Sequence, residues 1–184
     1  QYAKYSSRYD KFKEGIIENA FNPEFSNGAL MDIGVYCVHP LVRLFGMPKK
    51  IIADSLLLSN GVEGAGTILA SYDGMQAELL YSKITNNRLP SQIQGEDGTL
   101  VIDNITNICS VVFHDRKGNA ETVIDLPPEH SLEGEVKDWL RMIETGEGVR
   151  EDNECSLMEL RVMDEARRQA GIVFPADLRK ITGC

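Results

Sequence analysis

The chain has 184 residues, 42% of them hydrophobic and 26% charged, a composition suited to a globular domain with a sizeable core. Its net charge of −9, with Lys and Arg scattered along the chain, argues against a nucleic-acid binder, which needs a basic face for phosphate. No apolar run approaches the length of a membrane helix and no secretory leader pattern opens the chain, so no membrane association is expected.

The first residue is Gln1, and a natural start further upstream is expected. Cys37, Cys109, Cys155 and Cys184 lack metal-ligand spacing, which predicts free thiols in a reducing cytoplasm. Tyr2 to Tyr9 reads as a strand or extended segment, followed by a polar loop through Asn22-Pro23. A helix is predicted over 29–45, because Leu30, Ile33, Cys37, Leu41 and Leu44 recur at helical spacing. Gly46 and Pro48 stop it, and Pro40 removes one of its hydrogen bonds.

A β-rich middle follows. Lys50 to Leu58, Gly66 to Tyr72 and Met75 to Thr85 read as strands, the last two joined by the hairpin signal Asp73-Gly74. The glycine cluster from Gly61 to Gly66 reads as a turn. Ser91 to Gly95, Thr99 to Ile102, Asn107 to Phe113 and Glu121 to Leu126 continue as strands joined by short turns, so the sheet should be mainly antiparallel. Two helices close the chain. One carries the apolar stripe Leu132, Val136, Trp139, Leu140 and Ile143, with Trp139 expected in the core. The other is expected over 156–170, opened by a capping box at Ser156-Leu-Met-Glu159. The predicted class is α+β, an open, mainly antiparallel sheet with helices on one face, with residues 1–184 forming one domain.

The chemistry concentrates on the first helix. At roughly 100° per residue, Asp32, Tyr36, His39 and Arg43 fall within roughly 60° of one another, opposite the apolar stripe. An acid, a phenol, an imidazole and a guanidinium suit proton transfer and the gripping of a hydroxylated substrate. A solvated amphipathic face gives the same stripe, but such faces favour Lys, Glu and Gln. Gly28 and Gly34 are costly in a helix unless something approaches the backbone closely. Arg8 and Tyr9, ending the first strand, are candidates to border a substrate pocket. His114 and His130 have no partner at metal spacing, so no metal site is expected.

At these residues the sequence resembles the Gfo/Idh/MocA oxidoreductases. Gly28-Ala29-Leu30-Met31-Asp32-Ile33-Gly34-Val35-Tyr36 resembles their GGxxxDxGxH/Y signature. Leu44-Phe45-Gly46-Met47-Pro48 is similar to the family's helix end, Gln94 to Ile102 to its GxxGxxxI strand pair, and Glu135 to Gly146 with Leu157 to Pro175 to its last helices. The resemblance implies the C-terminal, substrate-binding half of a two-domain NAD(P)-dependent enzyme, with a fold like the C-terminal domain of glyceraldehyde-3-phosphate dehydrogenase. It implies a sugar, polyol or related carbonyl substrate, with Tyr36 as acid/base, Asp32 beside it, and His39, Arg8 and Tyr9 toward the substrate.

Tyrosine at position 36 is more similar to the glucose-fructose oxidoreductase and dihydrodiol dehydrogenase branch than to the histidine-bearing inositol dehydrogenases. Ser26-Asn27 stands where two glycines are common, and His39 where an aspartate is common. The family's GxGxxG turn and EKP-type lysine have no counterpart here, so NAD or NADP is expected on a nucleotide-binding domain outside this chain, which alone should bind none and be inactive. Ile51-Ile52, Leu56-Leu57-Leu58 and Leu79-Leu80 place apolar side chains on both sheet faces, and family members commonly pair through this sheet, so a homo-oligomer is expected. The rival expectation is a non-catalytic module that binds a small molecule or builds an oligomer.

Overall fold

The computed structural model describes residues 1–127 and 131–178, so His130 and Cys184 lie outside the described residues. The described residues form two compact units, one from residues 1–87 and 155–178, the other from residues 88–127 and 131–154. The expected α+β class and antiparallel strand pairing hold. The strands divide into two four-stranded sheets where one was expected.

The first unit opens with β1 (Tyr2–Ala3) and α1 (Arg8–Lys13). Short 3₁₀ turns at Asn19–Phe21 and Pro23–Phe25 lead to a π turn over Leu30–Gly34, which runs into α2 (Val35–Phe45). Then come β2 (Lys50–Leu57), β3 (Glu63–Ser71) and β4 (Gln76–Ser82), in the order β1-β4-β3-β2. Only β1 is parallel to its neighbour, β4; the other pairs are antiparallel.

The register puts Ile51, Ala70 and Ala77 in one row and Ala53, Ile68 and Leu79 in the next. This face packs on Val38, Leu41 and Val42 of α2, and on Val162, Met163 and Ala166 of α4 (Val149–Ala170). The opposite face stays open: Ile52, Leu56 and Leu80 are exposed while their neighbours Ile51 and Leu79 are buried. Gln169 of α4 covers the free edge of β2, accepting from Ala53 N–H (2.9 Å) and donating to the Ile51 carbonyl (3.0 Å). An edge strand occupied in this way offers fewer free groups for stray pairing.

In the second unit, β5 (Ser91–Gln94), β6 (Gly98–Ile102), β7 (Ser110–Asp115) and β8 (Ala120–Asp125) form an antiparallel meander, joined by α3 (Ser131–Thr145). Trp139 of α3 does not sit in a core; it is 62% exposed. Periodicity showed that α3 has an apolar face but not whether anything covers it.

Three other local expectations are corrected. Arg8 and Tyr9 start a helix and do not end a strand. Helical spacing lets the Tyr9 and Phe12 rings stack and both meet Phe21, at centroid distances of 5.7 and 5.6 Å. The last long helix begins at Val149, after Gly146 and Gly148 turn the chain with positive φ, so Ser156 lies inside it and caps nothing. Within the glycine cluster only Gly61, at φ 84°, serves the turn; Glu63 to Gly66 already belong to β3.

Gly28 and Gly34 meet the close approaches expected of them. A Cβ on Gly28 would lie 1.9 Å from the Glu63 carboxylate, and one on Gly34 would lie 3.2 Å from the Tyr81 ring. Glu63 is fully buried and accepts from Leu30 N–H at the start of the π turn (3.0 Å), while its Oε2 has no partner. Burial pushes its carboxyl pKa up, against the opposing pull of Leu30 N–H, Lys83 and Arg167. Tyr81 lies under the same helix, its phenol pushed up to about 12 by burial and bonded to Ser55 Oγ (3.2 Å). Gly66 makes room for that phenol: a Cβ there would lie 2.3 Å from Tyr81 Oη.

These close approaches set two expectations for stability. Gly66→Ala should cost about 1–3 kcal/mol, because the buried Tyr81 ring has to move; a urea midpoint equal to wild type would contradict this. Glu63 binds its proton more tightly in the native state than the ordinary carboxyl value of 4.5 allows. Native stability should therefore fall as pH rises from that value through the raised one, by about 1.4 kcal/mol for each pH unit between the two. In Glu63→Gln that fall should be absent. Urea denaturation of both proteins across mildly acidic to neutral pH checks this, and parallel curves would refute it.

Candidate functional site

Asp32, Tyr36, His39 and Arg43 emerge on the outer side of the π turn and α2, while Cys37, Val38, Leu41 and Val42 turn inward. Leu44, expected on the inner stripe, is 62% exposed, and Val38 and Val42 take the inward places. The π turn widens the backbone at Asp32, a local form frequent at functional sites.

Asp32 is held from below. Lys83, one residue past β4, is buried to 1% exposure and reaches Asp32 Oδ2 with its ammonium at 2.8 Å. The same ammonium donates to the Ala20 carbonyl (2.7 Å) and lies 4.9 Å from the centre of the Phe21 ring. The Asp32 side chain itself is 49% exposed. One carboxylate oxygen is thus tied to the fold on a face that opens to solvent.

Tyr36, one turn along from Asp32, is 46% exposed, and its ring meets Tyr2 edge-on at 5.5 Å. His39 stands on the same side, its Nδ1 2.7 Å from Glu159 Oε2 of α4. That contact ties the imidazole to the last long helix. The other two candidates lie on α1. Arg8 pairs with Glu18 at 3.7 Å, and Tyr9 packs on Phe21. Tyr9 therefore backs the ring that shields Lys83, while Arg8 has its partner elsewhere. His114 lies exposed in β7. Among the described residues no three His, Cys, Asp or Glu side chains gather as a metal would require.

Sequence reasoning missed Lys83, Glu63 and Glu159. A charged residue inside an apolar strand segment, as in Val62-Glu63-Gly64 and Ser82-Lys83-Ile84, was the available signal for the first two. Nothing in the sequence links His39 to Glu159, which lies 120 positions away.

A model of the GFO/IDH/MocA C-terminal domain matches residues 3–101, which include Asp32, Tyr36, Glu63 and Lys83. The chain is 47% identical over 178 residues to the scyllo-inositol 2-dehydrogenase (NADP(+)) IolU of Bacillus subtilis, covering 96% of this chain and 54% of that protein. It is 25% identical over 177 residues to the trans-1,2-dihydrobenzene-1,2-diol dehydrogenase of Danio rerio, covering 88% and 52%. The crystal structure of aldose-aldose oxidoreductase from Caulobacter crescentus superimposes with a TM-score of 0.66 at 20% identity, over 84% of this chain and 50% of that one. The chain thus spans about half the length of the curated relatives it matches. An inositol dehydrogenase and a dihydrodiol dehydrogenase are both among them. With its signature helix matched and its fold shared, the chain belongs to the GFO/IDH/MocA oxidoreductase family, whose C-terminal domain it carries.

Proposed function

We propose that this chain is the substrate-binding, proton-transferring half of an NAD(P)-dependent dehydrogenase acting on a sugar or polyol, with Tyr36 as acid/base and Asp32 as its companion carboxylate. The observation that carries the proposal is the pairing of Tyr36 with Asp32 on one exposed helix face, the carboxylate anchored by buried Lys83. The relatives' activities on polyols and diols, as their names give them, support it, and IolU's NADP(+) makes NADP the first cofactor to try.

A nicotinamide would supply the hydride acceptor or donor. The described residues do not fit its diphosphate: the glycine cluster runs into β3 instead of opening a helix. The nucleotide is therefore assigned to a domain outside this chain, and the part played here is confined to substrate and proton. Oxidation of an alcohol carbon requires loss of the hydroxyl proton, and the reverse reaction requires its return. Tyr36 Oη would exchange that proton. Asp32, with Oδ2 held by Lys83, would accept a hydrogen bond from a substrate hydroxyl through Oδ1. His39 lies one turn further along the same face, where it would meet a second hydroxyl of an extended polyol. Arg8 and Tyr9 would border the substrate from α1. The thiols of Cys37 and Cys109, joined in no disulfide, accord with a cytoplasmic setting.

The same reading includes a homo-oligomer built on the open sheet face. Ile52, Leu56 and Leu80 are 53%, 55% and 43% exposed on that face, and a second copy would cover them.

In the intact polypeptide, nucleotide-binding portion included, Tyr36→Phe should lower kcat by about 10² to 10⁴. NADP+ binding should stay unchanged. Steady-state kinetics with scyllo-inositol and a panel of aldoses, beside a cofactor titration, would measure both, and a variant with near wild-type turnover would remove Tyr36 from the role. For the sheet face, Leu56→Glu with Leu80→Glu should turn an oligomer into a monomer in light scattering. A wild-type protein that is itself monomeric at high concentration would end that part of the proposal.

A further inference from the structure

We propose that Lys83 is a positioning residue for the reaction: a buried ammonium that fixes Asp32 through Oδ2 and so aims Oδ1 at the substrate. The proposal rests on the reading of Asp32 and Tyr36 given above. Its basis is the burial of the ammonium and the contacts that hold it. The ammonium forms an ion pair with Asp32 Oδ2 at 2.8 Å, donates to the Ala20 carbonyl at 2.7 Å, and lies over the Phe21 ring, 4.9 Å from its centre. The side chain is 1% exposed, so these three neighbours, and not water, hold the cation in place. The carboxylate it holds is the half-exposed partner, and Asp32 would otherwise sample its rotamers in water.

Stability alone does not account for this lysine. Lysine is almost never fully buried without a partner, and replacing a buried ion pair by apolar side chains is often neutral or stabilising. Removal of Lys83 alone would leave Asp32 solvated, because its side chain is 49% exposed. A methionine is of similar length, and replacing Lys83 with it would strand no buried charge on half-exposed Asp32. What it would lose is the anchor, and a reacting group misplaced by about 1 Å can cost about 10²-fold in rate.

The test is a double-mutant cycle in the intact polypeptide, comparing wild type, Asp32→Asn, Lys83→Met and the double variant for kcat and for both KM values. Lys83→Met should lower kcat about 10- to 100-fold and leave the KM for NADP+ unchanged. In the Asp32→Asn background the same change should cost less than about threefold, because the group through which it acts is already gone. Lys83→Gln, which can still donate to Ala20, is carried alongside, with thermal melts and near-ultraviolet circular dichroism reporting the fold. If Asp32→Asn turns over like wild type, the reading of the site fails. If Asp32→Asn is slow but Lys83→Met costs the same factor in both backgrounds, or nothing in either, that reading stands and the positioning role is overturned. If neither Lys83 variant folds, the lysine is structural and the proposal is equally overturned.

Discussion

The ammonium of Lys83 sits out of water, and much of the first unit is arranged around keeping it satisfied. A buried cation is costly unless its donors find acceptors. Here they are drawn from separate stretches of chain: the carbonyl of Ala20 and the ring of Phe21 from one 3₁₀ turn, and the carboxylate of Asp32 from the π turn. Phe21 in turn is backed by Tyr9 and Phe12 of α1. The irregular segment between α1 and α2 therefore has a definite task. It wraps the lysine, and the lysine delivers one carboxylate to the surface beside Tyr36.

Glycines make the close packing beneath that site possible. Gly28 admits the Glu63 carboxylate to the start of the π turn, where it accepts a backbone N–H that the helix cannot satisfy itself. Gly34 lets the Tyr81 ring lie directly against the helix, and Gly66 admits the phenol of the same side chain from across the sheet. The glycines and the polar residues of the signature helix thus divide the labour. The former bring the helix down onto β3 and β4, and the latter carry chemistry on the side that remains open. Glu63 and Lys83 are the buried charged residues beneath it, one a carboxylate with an unpaired oxygen, the other an ammonium that donates to the Ala20 carbonyl and pairs with Asp32.

The sequence by itself determined the α+β class, the helix over 29–45 and most strand positions, because each is written in local spacing and turn residues. The hairpin at Asp73-Gly74 and the outward set Asp32, Tyr36, His39 and Arg43 follow from periods of two and 3.6 residues, which need no knowledge of distant contacts. The need for Gly28 and Gly34 was equally legible, although what approaches them was not. Tertiary structure alone decided the rest. Strands were legible one by one, but their division into two sheets depends on which edges meet. Arg8 and Tyr9 became helical because the rings of Tyr9 and Phe12 have Phe21 to pack on. Trp139 stands on a stripe that reads as core, yet burial is a property of the neighbour and not of the stripe. Lys83 and Asp32 are separated by 51 positions, and a charge buried that far along the chain acquires its meaning only when the fold places a carboxylate, a carbonyl and a ring around it.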